Sequence, residues 1–204
     1  KDVCKDSQKD GAIILGLGDA GGYRQFSNGK HPIKKPSDLV GLKMRTNGMD
    51  TIDKTFKALG ASTVSVPYND LYMALKTGVA DGQENPWVNV TGMKFYEVQK
   101  YFTAINYQFH PDPFYVNVQW FNSLPPEYQQ ILREATDESF RINNQKIAEM
   151  QNGALETIKK NAEVYELTPA EREEFKKAVQ VVYDQYLAEG RITQQELDTM
   201  RSIV

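Results

Sequence analysis

Arg45 and Asn85 carry the side chains in this sequence that are best suited to holding a carboxylate. Arg45 ends the segment 41–45, GLKMR, and Asn85 lies forty residues later in the segment 81–86, DGQENP. A guanidinium is a planar fork of five donors that matches both oxygens of a carboxylate at once. The asparagine amide adds an uncharged donor that can complete the hydrogen bonds of one oxygen. The two residues together predict a site for an organic acid.

The elements that position these residues follow from hydrophobic spacing. Short apolar or alternating segments predict strands, and segments with apolar residues at helical spacing predict helices between them. The predicted strands are 42–46, 62–67 and 79–83, and the predicted helices are 50–60, capped by Asp50 or Thr51 and stopped by Gly60, and 69–76, capped by Asn69. This alternation indicates right-handed βαβ crossovers and a mostly parallel sheet.

The predicted strand ends bring three side chains to one edge of the sheet. Arg45 ends one strand, Tyr68 follows the next, and Asn85 follows the third. Open α/β sheets bind their ligands at the carboxyl ends of the strands. Tyr68 would add an aromatic wall with one hydroxyl against the carbon skeleton of the ligand.

Other segments extend the α/β pattern on both sides of this block. The sequence predicts a strand over 12–17, a glycine-rich loop or strand edge over 18–29 that carries Arg24, and a single helical turn, capped by Ser37 or Asp38, within 32–38. It also predicts a helix over 89–98, an extended stretch over 101–107, a strand over 114–121, a helix from 123 to about 160, a helix from the capping box at Thr168 to about Leu187, and a last helix over 193–203. The helix ending near 160 would be about 50 Å long, which suits an element that braces two lobes.

Composition excludes several classes of protein. The chain has 204 residues, 25% of them charged, and a net charge of −3, so neither nucleic acid nor an anionic membrane surface is an expected partner. No apolar run approaches the roughly 20 residues of a membrane span. Cys4 is the single cysteine, so an internal disulfide cannot form. The charged leader 1–10, without an initiating Met, indicates that the beginning of the chain, with any signal peptide, has been removed.

The sequence offers no constellation for catalysis or for a cofactor. It contains no Gly-x-Ser-x-Gly elbow, no His-Glu-x-x-His and no phosphate-binding glycine loop between a strand and a helix. Asp81 and Glu84 would point to opposite faces of the predicted strand, which argues against an acid/base pair. With two histidines and one cysteine far apart, no transition-metal site is visible. We therefore expect no enzyme activity, no metal and no cofactor.

Each candidate also has a structural interpretation. A single arginine at a strand end is more often part of an ion pair, and an asparagine before proline is more often a turn residue. Asn47 could reach the same ligand as Arg45 or could only shape the turn at Gly48. His110 is more often a structural hydrogen-bonding group than a catalyst in such a position. Trp87 is expected to be a packing residue, although it is close enough to Asn85 to line the pocket.

A set of motifs in fixed order reverses these interpretations. They are, in chain order, Gly22-Tyr23-Arg24, DLVGLKMR at 38–45, LGA at 59–61, VPY at 66–68, YMALKTG at 72–78, DGQENP at 81–86 and KFYEVQKY at 94–101. From about Gly16 to its end the chain resembles the solute receptors of tripartite ATP-independent periplasmic (TRAP) transporters, in the dicarboxylate-receptor (DctP-like) family. The resemblance implies that Arg45 and Asn85 bind the acid group of a ligand, that Arg24 is a second arginine, and that Tyr68 lines the site. Both interpretations of Asn47 stay open.

The resemblance also implies an architecture. Such receptors have a periplasmic-binding-protein-like α/β fold of two lobes that close around the ligand. Here it predicts mainly the second lobe (23–110 and 151–204), a crossing strand (11–22), and a strand and long bracing helix of the first lobe or hinge (111–150). The N-terminal part of the first lobe is expected to be missing, so that the chain binds weakly or not at all. Its strand and helix at 113–160 are expected to pair with, or exchange into, another copy.

The implied activity is transport without chemistry. We expect a receptor in the periplasm that binds a dicarboxylate, a sugar acid or a related carboxylate and delivers it to membrane subunits. A sensor or regulatory module of the same fold is the alternative, which neighbouring genes would distinguish, and an unrecognised hydrolase is a third.

Overall fold

The computed structural model describes residues 7–202, which form two compact units. The first unit comprises the described parts of Lys1–Arg24, Pro86–Gly92 and Asn106–Thr157; the second comprises Gln25–Asn85, Met93–Ile105 and the described part of Ile158–Val204. Cys4, most of the predicted charged leader and the end of the predicted last helix lie outside the described residues.

Strands and helices alternate along most of the chain. The strands are β1 (Ala12–Asn28), β2 (Lys43–Thr46), β3 (Ser62–Ser65), β4 (Gly82–Pro86), β5 (Tyr101–Asn117) and β6 (Glu163–Glu166). The α-helices are α1 (Asp50–Ala58), α2 (Leu71–Lys76), α3 (Trp87–Gly92), α4 (Val118–Ser123), α5 (Pro126–Asn161), α6 (Pro169–Ala178), α7 (Gln180–Ala188) and α8 (Gln194–Arg201). Short 3-10 helices cover Pro36–Leu39, Tyr68–Asp70 and Phe95–Glu97.

Within the described residues the strands form one sheet in the order β3-β2-β4-β1-β5-β6. Strand β2 runs parallel to β3, with Arg45 beside Val64, and parallel to β4, with Met44 beside Gly82. Strand β6 runs parallel to β5. This topology confirms the predicted α/β fold with a mostly parallel sheet.

The core of the second unit joins its sheet to helices α1 and α6. The Phe26 ring on β1 lies 5.2 Å from the Phe56 ring on α1 and 6.4 Å from the Phe175 ring on α6, measured between centroids. Phe26 and Phe56 are fully buried, and so is Ile52, one turn before Phe56. The helical spacing of Ile52 and Phe56 in the sequence thus reports the face of α1 that packs on the sheet.

A charged cluster fastens α7 to the start of α1. The Asp50 carboxylate accepts hydrogen bonds from the Tyr186 hydroxyl at 2.9 Å and from the Arg191 guanidinium at 2.7 Å. These two bonds, followed by that from Lys54, hold the pKa of Asp50 below its ordinary value. Helix α1 directly follows the turn after β2, which contains Asn47. The cluster therefore holds the helix at the end of this turn.

One core cluster of the first unit joins β1 to α4. Ile13 and Leu15 on β1 pack with Phe121 on α4, and three partly buried apolar side chains surround them: Val116, Val118 and Leu132. Gly16 lies against helix α5, where a Cβ atom would sit 2.8 Å from both Thr136 Cγ2 and Phe140 Cδ2.

The prediction for the glycine-rich segment 18–29 left a loop and a strand edge open, and the structure has a strand, because β1 continues to Asn28. Glycine usually weakens a strand, but it also permits close approach of another element. Gly18, like Gly16, has the Phe140 ring where its Cβ would be. The glycines therefore serve packing against α5 and not a change of direction.

The predicted strand over 79–83 is displaced by three residues. Strand β4 covers Gly82–Pro86, so Asn85 lies one residue before the end of the strand. Residues Gly78 and Val79 belong instead to the turn that follows α2, where Gly78 has a φ of 76°. Arg45 likewise lies one residue before the end of β2.

The predicted strand over 114–121 is correct only to Asn117. The Asn117 side chain accepts a hydrogen bond from Trp120 N at 3.0 Å and caps α4, which turns the aromatic residues 120 and 121 into a helix. Asparagine is a strong N-cap, and here this local bond outweighs the β propensity of the segment.

Three helical predictions also need correction. The segment 89–98 forms α3 and then a 3-10 turn that starts after Lys94, whose φ is 54°. The single helix predicted from Thr168 to about Leu187 is two helices that meet at Val179, and strand β6 was not predicted at all. The predicted caps at the earlier helices are displaced, since Lys35, Met49 and Asp70 occupy the N-cap positions of the 3-10 helix at Pro36–Leu39, of α1 and of α2.

The long helix and the capping box at Thr168 are confirmed, and Thr193 caps the last helix in the same way. Helix α5 has 36 residues, close to the predicted extent. Thr168 and Thr193 each accept a hydrogen bond from the backbone N–H three residues on, in complete capping boxes with Glu171 and Glu196. Serine or threonine with glutamate at this spacing satisfies two free N–H groups at once, which makes it readable from sequence.

Candidate ligand-binding site

Arg45 is a buried arginine with a fixed orientation. It lies on β2 with 2% of its surface exposed, and its Nε donates a hydrogen bond of 2.8 Å to the carbonyl oxygen of Val66. With Nε held in this way, Nη1 and Nη2 form the end-on edge of the guanidinium. That edge is one of the two with which arginine binds both oxygens of a carboxylate.

Asn85 shares a face of the sheet with Arg45. Because Met44 pairs with Gly82 in the parallel register, Arg45 lies opposite Gln83, and paired residues point to the same side. Asn85, two residues further along β4, is on that side too and is 2% exposed. The structure therefore places Arg45 and Asn85 on neighbouring strands, with both side chains on the same face of the sheet.

Tyr68 and Asn47 lie on the connections that leave β3 and β2. Tyr68 is half-buried at the start of the 3-10 helix Tyr68–Asp70, two residues after Val66, and its ring meets Phe95 edge-on at 6.0 Å. Asn47 is exposed, and its Oδ1 accepts a hydrogen bond from Met49 N at 3.1 Å. The contact seen for Asn47 is thus the turn-shaping one of its two interpretations.

Arg24 belongs to the first unit, where it is 7% exposed near the middle of β1. The two residues before Tyr23 hold the strand in an unusual conformation, since Gly21 and Gly22 have φ values of 126° and 90°. Asp19 Oδ1 accepts from Gly21 N at 2.8 Å, and Gln151 Nε2 of α5 donates to Gly21 O at 2.6 Å. Only glycine adopts such angles readily. The pattern Asp-x-Gly-Gly could therefore have indicated, from the sequence alone, a backbone of fixed conformation just before Arg24.

Two further residues considered from the sequence lie in the first unit. Trp87 opens α3 and is 7% exposed, which fits a packing residue. His110 lies within β5.

Of the acidic residues near Asn85, Asp81 has a structural role and Glu84 lies on the opposite face of the strand. Asp81 Oδ2 accepts from Lys43 N at 2.9 Å, and its Oδ1 lies 3.4 Å from Lys30 Nζ, so this carboxylate ties β2 to the turn before β4. Glu84 is fully buried on the strand between Gln83 and Asn85 and points to the opposite face from them. The two carboxylates are not arranged as an acid/base pair around one substrate.

Residues 7–202 contain neither a cluster of metal-ligating side chains nor a membrane-spanning helix. In this range no three or more histidine, cysteine, aspartate or glutamate side chains come together as metal ligands would. None of the helices described there has the length and apolar character that crossing a membrane requires.

Sequence reasoning missed the polar residues that surround Asn85. Gln83, Ser27 and Gln99 are buried and hydrogen-bonded to one another, and Asn85 joins them through a bond of 2.5 Å from its Nδ2 to Gln83 Oε1. Their signal in the sequence is weak, because a polar run such as Gln-Glu-Asn reads as a loop until the partners on other strands are known.

Comparison with known proteins identifies the class. The family model described as bacterial extracellular solute-binding protein, family 7, matches residues 1–189. The C4-dicarboxylate-binding protein DctB of Bacillus subtilis is 34% identical over 167 residues, which are 81% of this chain and 48% of that protein. The chain thus spans about half the length of this relative.

Solved structures agree with this match. A TRAP periplasmic solute-binding protein from Shewanella oneidensis with bound succinate is 31% identical, with a TM-score of 0.86 over 92% of this chain and 61% of that one. One from Sulfitobacter sp. NAS-14.1 with bound β-D-galacturonate is 28% identical, with a TM-score of 0.87 over 92% of this chain and 62% of that one.

The fold and these matches together identify the family of this chain. The chain belongs to bacterial extracellular solute-binding protein family 7, the family of the TRAP receptors. The resemblance noted in the sequence is confirmed.

Proposed function

We propose that this chain is the ligand-binding part of a periplasmic receptor that takes up an organic acid and passes it to the membrane subunits of a TRAP transporter. The observation that carries the proposal is the buried Arg45 guanidinium, oriented by Val66 and placed on the same face of the sheet as Asn85. A planar guanidinium can donate to both oxygens of a carboxylate at once. A ligand carboxylate is the anion that this fork fits.

Binding of this kind needs no bond to be made or broken. A charge-assisted hydrogen bond contributes about 1.5–3 kcal/mol net. A ligand of micromolar affinity needs about 8 kcal/mol in all. A bidentate pair with Arg45, one bond from Asn85 and burial of the carbon skeleton against Tyr68 reach that range.

The proposed ligand residues are Arg45, Asn85, Tyr68, Asn47 and Arg24. Arg45 pairs with the carboxylate, and Asn85 supplies a neutral amide beside it. Tyr68 gives an aromatic wall that Phe95 holds in place. Asn47 shapes the turn after β2 and contributes through that turn. Arg24 is proposed as a further cationic ligand residue by its place in the family motif.

The proposed ligand is an acid with an aliphatic or hydroxylated skeleton. Support comes from the bound succinate and β-D-galacturonate of the two structural relatives, since both molecules carry a carboxylate. Titration with these acids and with their neutral amides tests the proposal, since only the acids carry the negative charge that Arg45 would bind.

We also propose that the second compact unit forms most of the second lobe of such a receptor. Its residues 25–85, 93–105 and 158–204 overlap the predicted lobe at 23–110 and 151–204. The segment 111–150, with the end of β5 and most of α5, is proposed to belong to the first lobe or the hinge.

The strand and helix at 113–160 are proposed to pair with, or exchange into, a second copy of the chain. Several large apolar side chains there are between 40% and 63% exposed: Phe114, Tyr115, Trp120, Tyr128, Ile131, Ile142 and Met150. Exposed apolar side chains concentrated in one region are typical of an interface. A second copy offers the same surface and can cover it symmetrically.

Light scattering at increasing concentration tests this pairing. We expect a mass of twice the 23.2 kDa of one chain, and we expect Ile131→Asp to reduce it to a single chain. Met200→Asp, at a methionine that is 67% exposed on α8, is the matched control and should not change the mass. A mass of one chain at every concentration would overturn the proposal.

A further inference from the structure

Asn85 belongs to a chain of hydrogen-bonded, buried polar side chains in the second unit. Its Nδ2 donates to Gln83 Oε1 at 2.5 Å, and Gln83 Nε2 donates to Ser27 Oγ at 2.7 Å. Ser27 Oγ donates to Gln99 Oε1 at 3.1 Å. All four residues are at most 2% exposed. They come from β4, from β1 and from the segment before β5, and so connect neighbouring parts of the sheet.

The far end of this chain determines the direction of every bond in it. Gln99 Nε2 lies 3.3 Å from the carbonyl oxygen of Asp81 and 3.1 Å from that of Val98. A carbonyl oxygen only accepts, so the amide nitrogen of Gln99 must be the end that faces these two atoms. Its Oε1 therefore faces Ser27, and the only hydrogen that can join the two oxygens is that of the Ser27 hydroxyl.

The directions of the remaining two hydrogen bonds, up to Asn85, follow from that of the Ser27 hydroxyl. Since the Ser27 hydroxyl has donated its hydrogen to Gln99, Ser27 Oγ must accept from Gln83, which places the amide nitrogen of Gln83 at that end. Gln83 Oε1 consequently faces Asn85 and accepts from Asn85 Nδ2. Amide ends are usually ambiguous because oxygen and nitrogen are similar in size, but two backbone carbonyls remove the ambiguity here.

We propose that Gln83, Ser27 and Gln99 are positioning residues that fix which end of the Asn85 amide is the donor and which is the acceptor. The proposal rests on the proposed function, in which Asn85 contacts the ligand. It predicts that Asn85 meets the ligand with its amide already oriented. Orientation before binding improves affinity because less freedom is lost on association.

The conformation of β4 supports a dedicated role for these residues. Gln83 and Asn85 are buried at positions where apolar side chains would need no hydrogen-bond partners. A buried amide, in contrast, is tolerated only if its hydrogen bonds are made. Gly82, just before them, brings β4 close to β1, where a Cβ would meet the carbonyl oxygen of Ser27 and lie 2.9 Å from Asn28 Cβ. This close approach puts Ser27 within reach of Gln83.

Nitrogen-15 NMR of the side-chain amides tests the orientation without any ligand. Asn85→Asp identifies the Asn85 signals by their loss. In the wild-type chain we expect one Asn85 amide hydrogen to exchange with solvent at least about tenfold more slowly than those of the exposed Asn47. In Ser27→Ala we expect the Asn85 signals to shift and this protection to be lost.

A matched control separates orientation from stability. Thr103→Val also removes a buried hydroxyl, one that donates to Ile33 O at 2.7 Å in the same unit, and should leave the Asn85 signals unchanged. Gln99→Met breaks the chain at its other end and replaces Ser27→Ala should that variant not fold. Asn85 signals that stay at their wild-type positions in these two variants would overturn the proposal.

Affinity for succinate and D-galacturonate gives the second measurement. We expect Ser27→Ala to weaken binding about tenfold and Thr103→Val to leave it unchanged. Altered Asn85 signals with wild-type affinity would overturn the positioning role. A wild-type chain that binds neither acid would contradict the proposed function, while the NMR comparison would still establish or reject the orientation of the amide by itself.

Discussion

Arg45→Lys should weaken the binding of an organic acid by about 100-fold. Lysine keeps the charge but has no planar fork, so it cannot bind both carboxylate oxygens while also bonding to Val66 O. Losing one charge-assisted bond of about 3 kcal/mol corresponds to about two factors of ten. Calorimetric titration of both chains with the same acid measures the difference.

Arg172→Lys is the matched control for this change. Arg172 lies in the same unit, and its Nη2 also donates to a backbone carbonyl, that of Ala104, at 3.4 Å. The control variant should keep wild-type affinity. Equal losses in the two variants, or none in Arg45→Lys, would mean that Arg45 supports the fold and does not bind the ligand.

Gly82→Ala should destabilise the second unit more than other single changes of this size. The added Cβ would meet the carbonyl oxygen of Ser27 and would lie 2.7 Å from Met44 Sδ and 2.9 Å from Asn28 Cβ. The Ser27 oxygen belongs to the backbone of β1, so relief requires β1 and β4 to separate. We expect a loss of about 3 kcal/mol in the free energy of unfolding, and a melting temperature lower by about 10 °C.

Gly153→Ala supplies a control of opposite sign. Gly153 lies within α5, and a Cβ there would have no neighbouring atom within 4 Å. Alanine in a helix is more favourable than glycine by up to about 1 kcal/mol. Thermal unfolding of both variants should therefore show a large decrease for Gly82→Ala and a small increase for Gly153→Ala. An unchanged melting temperature for Gly82→Ala would contradict the close packing of β1 on β4.

The part of the fold that sequence predicts well is the part in which local signals and packing agree. Helix α1 shows its buried Ile52 and Phe56 at helical spacing, and Thr168 with Glu171 marks the start of α6. The alternation of strands and helices between β2 and β4 requires a parallel sheet, and this sheet is observed. In these places no distant contact is needed to explain the sequence.

Strand β4 shows where such reasoning fails. Gln83 and Asn85 are polar, and polar residues between turns normally indicate a loop. They can be buried because Ser27 lies 56 positions before Gln83 and, in turn, Gln99 lies 72 positions after Ser27. Hydrogen bonds over such separations leave no periodic pattern in a single sequence, so the strand was placed three residues too early.

The ends of β1 and β5 fail for related reasons. Glycines at positions 16 and 18 resemble a loop, yet they allow Phe140 of α5 to approach the strand. The aromatic segment after Asn117 has strong β propensity, yet one side-chain cap starts a helix there. Arg45, Asn85 and Tyr68 could be nominated as site residues from the chemistry of their types and their motif, but Gln83, Ser27 and Gln99 become visible only in the folded chain.

Titration with succinate and with succinamide shows whether this chain recognises a carboxylate. The two molecules have the same skeleton and nearly the same size, but the amide carries no negative charge for a guanidinium to bind. D-Galacturonate and its amide form a second pair. We predict that at least one of the acids binds and that its amide does not. Equal binding of an acid and its amide, or no binding of either acid at millimolar concentration, would contradict the account.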